Sequence, residues 1–428
     1  MRPISTRRAF IATAGTVGIT SIAGCSSILG GMGGDNNNKT TTPESNSKAE
    51  TKDAPGGPGK SVDTFENVKS NWGVSYGKLS TTKQDVYQGS QSLVLQSKKS
   101  AKKTVTKITR SFYPEALDLS SHNLSLAVKV KKPETVKIKA EIIAPADSSK
   151  LQSTRYIPKE LDDWVRFDIG YTSKKGDPVM NNVAELNIQI GPTPNNKPFT
   201  VLIDDLRKVP AASKGKVMFQ FDDGHISARD TVYPVFKEKG WSGTVGVIPD
   251  AVGADDRITE QHMREMGKNG WDMIGHASEL LPKHSREKQR RILQRTKQYL
   301  EVKGFKKGAN HFIAPYNRVN GTTLELFNEL FDSAYLQGGA PNNAKQPSNP
   351  GFISRVNGED IQGTQRIVNM ANEFNQLAVI YFHRVGTEYD GFSLDDFRKV
   401  ADHVGSKEVD VVTPSQLFQS DNGSSNSK

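Results

Sequence analysis

The chain has 428 residues, too many for one ordinary domain and enough for two or three. Only 35% of them are hydrophobic, which reserves a sizeable part for unfolded tether. A single cysteine excludes an internal disulfide framework. The formal net charge of +10 favours anionic surroundings such as an acidic polysaccharide or surface. The lysines are dispersed, with no basic helix or ribbon carrying interleaved aromatics, which argues against nucleic acid as a partner.

At the amino terminus, Thr6-Arg7-Arg8-Ala9-Phe10-Ile11 precedes an uncharged, mildly apolar run from Ala12 to Ala23. It resembles a twin-arginine export signal. The run ends Ile22-Ala23-Gly24-Cys25, which resembles a lipobox and places the sole cysteine where lipid would be attached. These resemblances imply a signal over residues 1–24, cleavage before Cys25, and export to the outer face of the cytoplasmic membrane or the cell surface through a lipid anchor. A free Cys25 behind an uncleaved anchor is the alternative, although the run is shorter than the roughly 20 residues a spanning helix needs. Residues 25–60 are Gly, Asn, Thr, Ser, Pro and Lys with almost nothing to bury, and 420–428 are similar; both read as disordered.

Over residues 61–210 short alternating strands are separated by polar turns, as in 92–96, 124–130, 136–143, 164–169, 186–190 and 199–206. Period-2 alternation without a convincing helix predicts an all-β sandwich. The opening Asp63-Thr64-Phe65-Glu66, Gly89-Ser90-Gln91-Ser92-Leu93, the Trp164-x-x-Phe167-Asp168 strand and the closing Ile203-Asp204-Asp205-Leu206 together resemble a jelly-roll module of the carbohydrate-binding type. That resemblance implies a structural calcium between first and last segments, with Glu66 and Asp205 as hard oxygen donors. Sugar stacking would need exposed aromatics such as Trp72 or Tyr76, for each of which a place in the core is the competing expectation.

From 211 to 419 strands alternate with helices. Val217–Phe221, Thr244–Ile248, Trp271–Ile274, His311–Ile313, Ala378–Phe382 and 410–412 read as strands, and 228–239, 258–268, 285–302, 322–331 and 394–404 as helices. Repeated βα units predict a parallel barrel or doubly wound sheet, whose chemistry collects at the carboxyl ends of strands. Those ends carry Asp222-Asp223-Gly224, Gly275-His276, Ala314-Pro315-Tyr316 and His383. A short run closing on two carboxylates and a glycine reads equally well as a turn. Two acids and two histidines at successive strand ends are what metal-assisted hydrolysis requires.

With those endings in order, Gln220-Phe221-Asp222-Asp223-Gly224, Gly275-His276, Phe312-Ile313-Ala314-Pro315-Tyr316 and Tyr381-Phe382-His383 resemble the motifs of the polysaccharide deacetylase family, carbohydrate esterase family 4 with its NodB homology domain. The resemblance covers about half of the chain. It implies a distorted (β/α) barrel that removes N- or O-acetyl groups from glycans with a divalent metal, commonly zinc. It also implies Asp222 as general base, Asp223 and His276 as metal ligands, the Tyr316 backbone N–H at the oxyanion, and His383 as general acid. This chemistry is sound: a metal polarises the acetyl carbonyl and its water, and a histidine can donate a proton at neutral pH.

Three departures stand out. The second motif's last histidine is Leu280, leaving Glu279, His284 or water to supply a third ligand. The third motif's arginine, which steadies the base, is Ile313, with Arg318, Arg355 and Arg384 as replacements that sequence cannot place. The fourth motif's Asp-x-x-x-Trp is not recognisable around Ser333–Gly338. Two readings therefore stand: a lipid-anchored, metal-dependent deacetylase of a surface or extracellular polysaccharide, and a non-catalytic glycan-binding lipoprotein on a degenerate barrel. An ester substrate on the same scaffold is a more remote third.

Overall fold

The computed structural model of the protein describes residues 58–97, 104–132, 136–158, 160–386 and 392–419. The expected signal, Cys25, the tether up to residue 57 and the tail from 420 lie outside the described residues.

The first part of the described chain is built of β1 (Lys60–Asp63), β2 (Trp72–Tyr76), β3 (Lys78–Thr82), β4 (Ser92–Gln96), β5 (Thr106–Ser111), β6 (His122–Lys132), β7 (Val136–Ile143), β8 (Lys150–Ile157), β9 (Val165–Asp168), β10 (Ser173–Lys175), β11 (Glu185–Ile190) and β12 (Thr200–Pro210). They form two antiparallel sheets. One has the order β3-β4-β12-β6-β9 with β1 added to β12; the other runs β10-β8-β7-β11-β5-β2. Alternation drives the packing: Val136, Ile138, Ala140 and Ile142 of β7 are buried while the lysines between them are not. Leu126 and Val128 of one sheet and Ile138 and Ile188 of the other belong to one hydrophobic cluster.

The strands that sequence left unassigned are the more polar ones. In β8 the buried positions include Ser153 and Arg155 beside Leu151 and Ile157, so no apolar period betrays the strand. Arg155 is buried because it faces the second part of the chain. Its Nη2 donates to the Phe352 carbonyl at 3.1 Å, and its guanidinium lies over the Phe167 and Phe352 rings.

The two carboxylates expected at a calcium site, Glu66 and Asp205, make the following contacts. Asp205 (φ +46°) accepts Arg207 Nε at 2.8 and 2.7 Å and is also ion-paired with the buried Arg166. Glu66 accepts the Ser90 N–H at 2.7 Å and the Ser90 hydroxyl. Each carboxylate thus has charged or hydrogen-bonding partners of its own within the first part of the chain. Trp72 is core, 5% exposed, with Nε1 donating to Asp63 Oδ2 at 2.9 Å; Tyr76 is 44% exposed.

The second part closes a ring of seven parallel strands: β13 (Gly215–Phe221), β14 (Thr244–Val247), β15 (Asp272–Gly275), β16 (His311–Ile313), β17 (Ser333–Gln337), β19 (Ile353–Asn357) and β20 (Gln376–Phe382), the last pairing back onto β13. The short β18 (Asn342–Asn343) runs antiparallel beside β20, and β21 (Val409–Val411) lies on β13. The long helices Glu260–Lys268, Arg286–Val302, Gly321–Leu330, Ile361–Glu373 and Leu394–Gly405 connect these strands. Each begins where a cap places it: Thr259, Ser285, Asn320, Asp360 and Ser393 each accept a backbone N–H of the first turn.

Strand parity sorts the barrel into an inside and an outside. Val217, Phe219 and Phe221 pack outward with Phe236, Phe382 and Phe397, whereas Met218, Ile274, Ile313, Tyr335, Ile353 and Val379 fill the interior. The aromatic cluster on Phe312, Phe327 and Phe331 shares a hydrophobic cluster with the two antiparallel sheets. Polar ties reinforce that contact. The Tyr171 N–H donates to Gln376 Oε1 at 2.9 Å, and the buried Asp168 accepts the Asn343 N–H at 3.0 Å.

No helix among the described residues is long and apolar enough to cross a membrane.

Candidate active site

The inward parity of β13 continues past its last residue. Met218, Gln220 and Asp222 share the interior face, so Asp222 enters the barrel mouth, where it is 3% exposed. The chain then leaves the pleat. Asp223 (φ +64°) and Gly224 (φ +61°) take consecutive left-handed conformations, which glycine and aspartate tolerate better than other residues. The two carboxylates are therefore separated by a turn rather than by the alternation of a strand, and Asp223 is left partly open to solvent.

Asp222 is held by Arg355. The guanidinium Nη1 donates to Oδ1 at 2.7 Å and Nη2 to Oδ2 at 3.0 Å, a two-pronged pair with both side chains under 5% exposed. Arg355 is itself fixed from three sides. Nη1 also reaches Gln220 Oε1 (3.3 Å), Nη2 reaches Asn317 Oδ1 (3.2 Å), and the Tyr381 ring centroid lies 4.5 Å away. Of the three arginines open as replacements for the missing one, Arg355 is thus the one that clamps the acid. Arg318 pairs instead with Glu160 of the first part. Ile313, at the vacated position, fills the barrel interior.

His276 follows β15 and is 5% exposed. Its Nδ1 lies 2.9 Å from the Ile313 carbonyl oxygen, a contact that needs the proton on Nδ1 in the neutral ring. Nε2 then points a lone pair at Asp223 Oδ1, 3.2 Å away. Two acceptors at this distance repel unless a proton or a cation lies between them. Two ligands each about 2.0–2.2 Å from a tetrahedral zinc would be about 3.3–3.6 Å apart. A ring nitrogen fixed by a backbone carbonyl is also the usual support of a metal-bound histidine. With a proton on Nε2 as well, His276 would donate to Asp223 and hold its carboxyl down, to about 2, against the burial that would raise it; a divalent cation can stand in that proton's place. The pair therefore fits a divalent cation as two of its ligands.

The two residues expected as substitute third ligands contact each other. His284 Nε2 is 2.9 Å from Glu279 Oε2, which Lys288 also contacts at 3.1 Å, so these side chains satisfy one another. Among the described residues no cluster of three potential ligands forms.

His383 follows β20, whose register pairs Phe221 with Phe382; continued by one residue, it sets Asp222 beside His383. His383 shares the inward parity of Val379 and Tyr381, stands edge-on to the Tyr381 ring at 5.7 Å, and contributes to the field that lowers Asp223. Tyr316 sits in the turn after β16 at φ +56°. Its ring is 66% exposed, yet its hydroxyl donates to the Ser278 carbonyl at 2.9 Å, tying that turn to the loop that follows His276.

Sequence reasoning missed Asn317, which accepts from both Arg355 and the Gln337 N–H (2.8 Å), and gave no role to Gln220 or Tyr381. The signal for Gln220 was present, since it lies two residues before Asp222 on the same strand. No such signal existed for Asn317, in a loop distant from Arg355 in sequence.

Comparisons with known proteins bear on the same half of the chain. Residues 210–331 match the family model described as polysaccharide deacetylase, a stretch that includes Asp222, Asp223, His276 and Tyr316 but neither Arg355 nor His383. Sixty residues are 33% identical to YxkH of Bacillus subtilis (strain 168), whose name proposes a polysaccharide deacetylase; the match spans 14% of this chain and 22% of that protein's length. Among solved structures, the Xyl-CE4 domain of a multidomain xylanase from the hindgut metagenome of Trinervitermes trinervoides aligns over 48% of this chain and 91% of its own, at 17% identity and a TM-score of 0.36. A family 4 acetyl xylan esterase from Clostridium thermocellum in complex with a cobalt ion covers 48% and 90%, at 17% identity and 0.35. Peptidoglycan deacetylase PdaC from Bacillus subtilis covers 48% and 91%, at 18% and 0.34. At these values the structural likenesses say nothing of residue roles or substrate. The family match does cover the first three of the strand ends that carry the expected site residues: residues 210–331 are similar to the polysaccharide deacetylase model.

Proposed function

We propose that the barrel removes acetyl groups from a polysaccharide with the help of a divalent cation, most simply zinc, held by Asp223 and His276. The observation that carries this reading is the division of labour between the two acids. Both Asp222 oxygens are oriented by a buried arginine, while Asp223 faces a bare ring nitrogen at 3.2 Å. When bound, the cation supplies Lewis-acid polarisation of the acetyl carbonyl and acidifies its water. Asp222, kept in one orientation by Arg355, accepts the proton of the attacking water. The Tyr316 N–H donates to the developing oxyanion, and His383, one strand away from Asp222, protonates the departing amine or hydroxyl.

The two antiparallel sheets are read as a jelly-roll of the carbohydrate-binding type, the amino terminus as a twin-arginine signal and Cys25 as a lipid anchor at the outer membrane face. The basic balance of the chain suits an anionic glycan. One observation favours a second reading, a non-catalytic glycan-binding lipoprotein: the described residues offer two metal ligands and no third.

Acetate release from acetylated chitooligosaccharides and from peptidoglycan, with and without added zinc, separates the two. The first reading expects zinc-stimulated release that Asp222→Asn lowers by about 10²- to 10⁴-fold. Equal rates for wild type and Asp222→Asn on every substrate and metal would leave only the binder.

A further inference from the structure

A cleft of about 390 Å³ opens between β8 and the barrel turn that carries Tyr316. Tyr156 and Pro158 of the first part line one wall; Tyr316, Asn317 and Gln337 of the barrel line the other. We propose that this cleft is a sugar subsite, so that the antiparallel sheets supply part of the substrate groove itself rather than a separate tether to the polymer. The proposal rests on the deacetylase reading for the identity of its occupant, a pyranose unit next to the acetylated one.

Four observations converge on it. Two tyrosine rings on opposite walls are exposed, Tyr156 by 47% and Tyr316 by 66%, in a protein that buries most of its large aromatics. An exposed ring with a polar tip is the side chain that stacks on a sugar face while still reaching a hydroxyl. The walls are fixed to each other: the Tyr156 N–H donates to the Gly338 carbonyl at 3.1 Å, and Glu160 pairs with Arg318 across the cleft. Gly339, at φ +82°, passes beside the Tyr156 ring, where a Cβ would stand in ordinary contact at 3.5 Å. Finally, the cleft and the barrel mouth share residues. Asn317 bonds Arg355, which clamps Asp222, and the Tyr316 hydroxyl is bonded to the loop after His276.

The test measures binding and turnover of the whole protein on acetylated chitohexaose and xylohexaose and on the matching disaccharides. Hexamer binding, followed by tyrosine and tryptophan fluorescence, should weaken about fivefold in Tyr156→Ala and return in Tyr156→Trp. The hexamer-to-dimer ratio of kcat/KM should fall by a similar factor. Tyr113→Ala, which removes an 89% exposed ring outside the cleft, should match wild type. Unaltered hexamer binding in Tyr156→Ala, or no binding of either hexamer by wild type, overturns the proposal. Tyr156-dependent binding without acetate release keeps the subsite and rejects the deacetylase. Acetate release whose length preference ignores Tyr156 does the reverse.

Discussion

The molecule contains two Asp-Asp pairs at strand positions, one in each part, and they have come to opposite ends. In β12, Asp204 accepts the backbone N–H groups of Tyr87 (2.9 Å), Gln88 (3.1 Å) and Asp205 (2.8 Å), and Asp205 is neutralised by Arg166 and Arg207. Both acids are spent on structure around β12, an interior strand of its sheet. After β13, Asp222 is oriented by Arg355, but Asp223 keeps an oxygen directed at the His276 ring nitrogen. Both second acids adopt positive φ, +46° and +64°. The backbone device is shared, and the neighbours decide whether it makes structure or a ligand.

The largest effect should come from breaking the one clamp that the active pair retains. Arg355→Met would leave Asp222 buried without its counter-charge, at a cost of about 3–5 kcal/mol in chemical denaturation, and lower acetate release by about 10²-fold or more. Arg355→Lys should fall between, since a point charge cannot reproduce the two-pronged contact. A wild-type rate in Arg355→Met would remove Asp222 orientation from the mechanism.

Exchanging roles between the pairs gives the next effect. Zinc titration by calorimetry should show affinity falling at least about 100-fold in Asp223→Ala or His276→Ala, and no change in Asp205→Ala. Asp205→Ala should instead destabilise the fold by about 3 kcal/mol, because Arg166 is left buried and unpaired. Zinc affinity that depends on Asp205 would revive a cation site in the sheets.

The smallest effect is a matter of pH. Burial pushes the Asp204 carboxyl up to about 6. For Asp204 the folded state holds its proton more tightly than the unfolded chain. Its contribution to stability therefore declines as pH rises from about 4 to about 6, by at most about 3 kcal/mol, and is flat above that. Melting temperature measured across this interval should lose that slope in Asp204→Asn. A slope unaltered by the substitution would assign it to another group.

Reading the chain alone reached the all-β part, the βα part and the four strand ends because each depends on local pattern. Val217–Phe221 is apolar on its outward face whatever surrounds it, and a strand that stops at Asp-Asp-Gly must deliver those acids to a sheet end. It passed over β17, β19 and the helix Ile361–Glu373, whose residues are mixed in polarity. Arg355 in β19 would have weakened any assignment of that segment to a buried strand.

Composition and local period therefore determined the layout of the chain and the acids and histidines that its chemistry needs. Only the closed barrel decided which arginine steadies Asp222. The vacated position at Ile313 is refilled from a strand two places along the ring, a distance of 42 residues in sequence that closure makes short in space. Tertiary packing likewise decided that Glu279 and His284 satisfy each other, that Asp205 serves two arginines, and that Tyr156 lies beside the barrel mouth. Each of these is a pairing of charges or rings across elements, and such pairings follow from the geometry of the closed fold rather than from the order of residues along it.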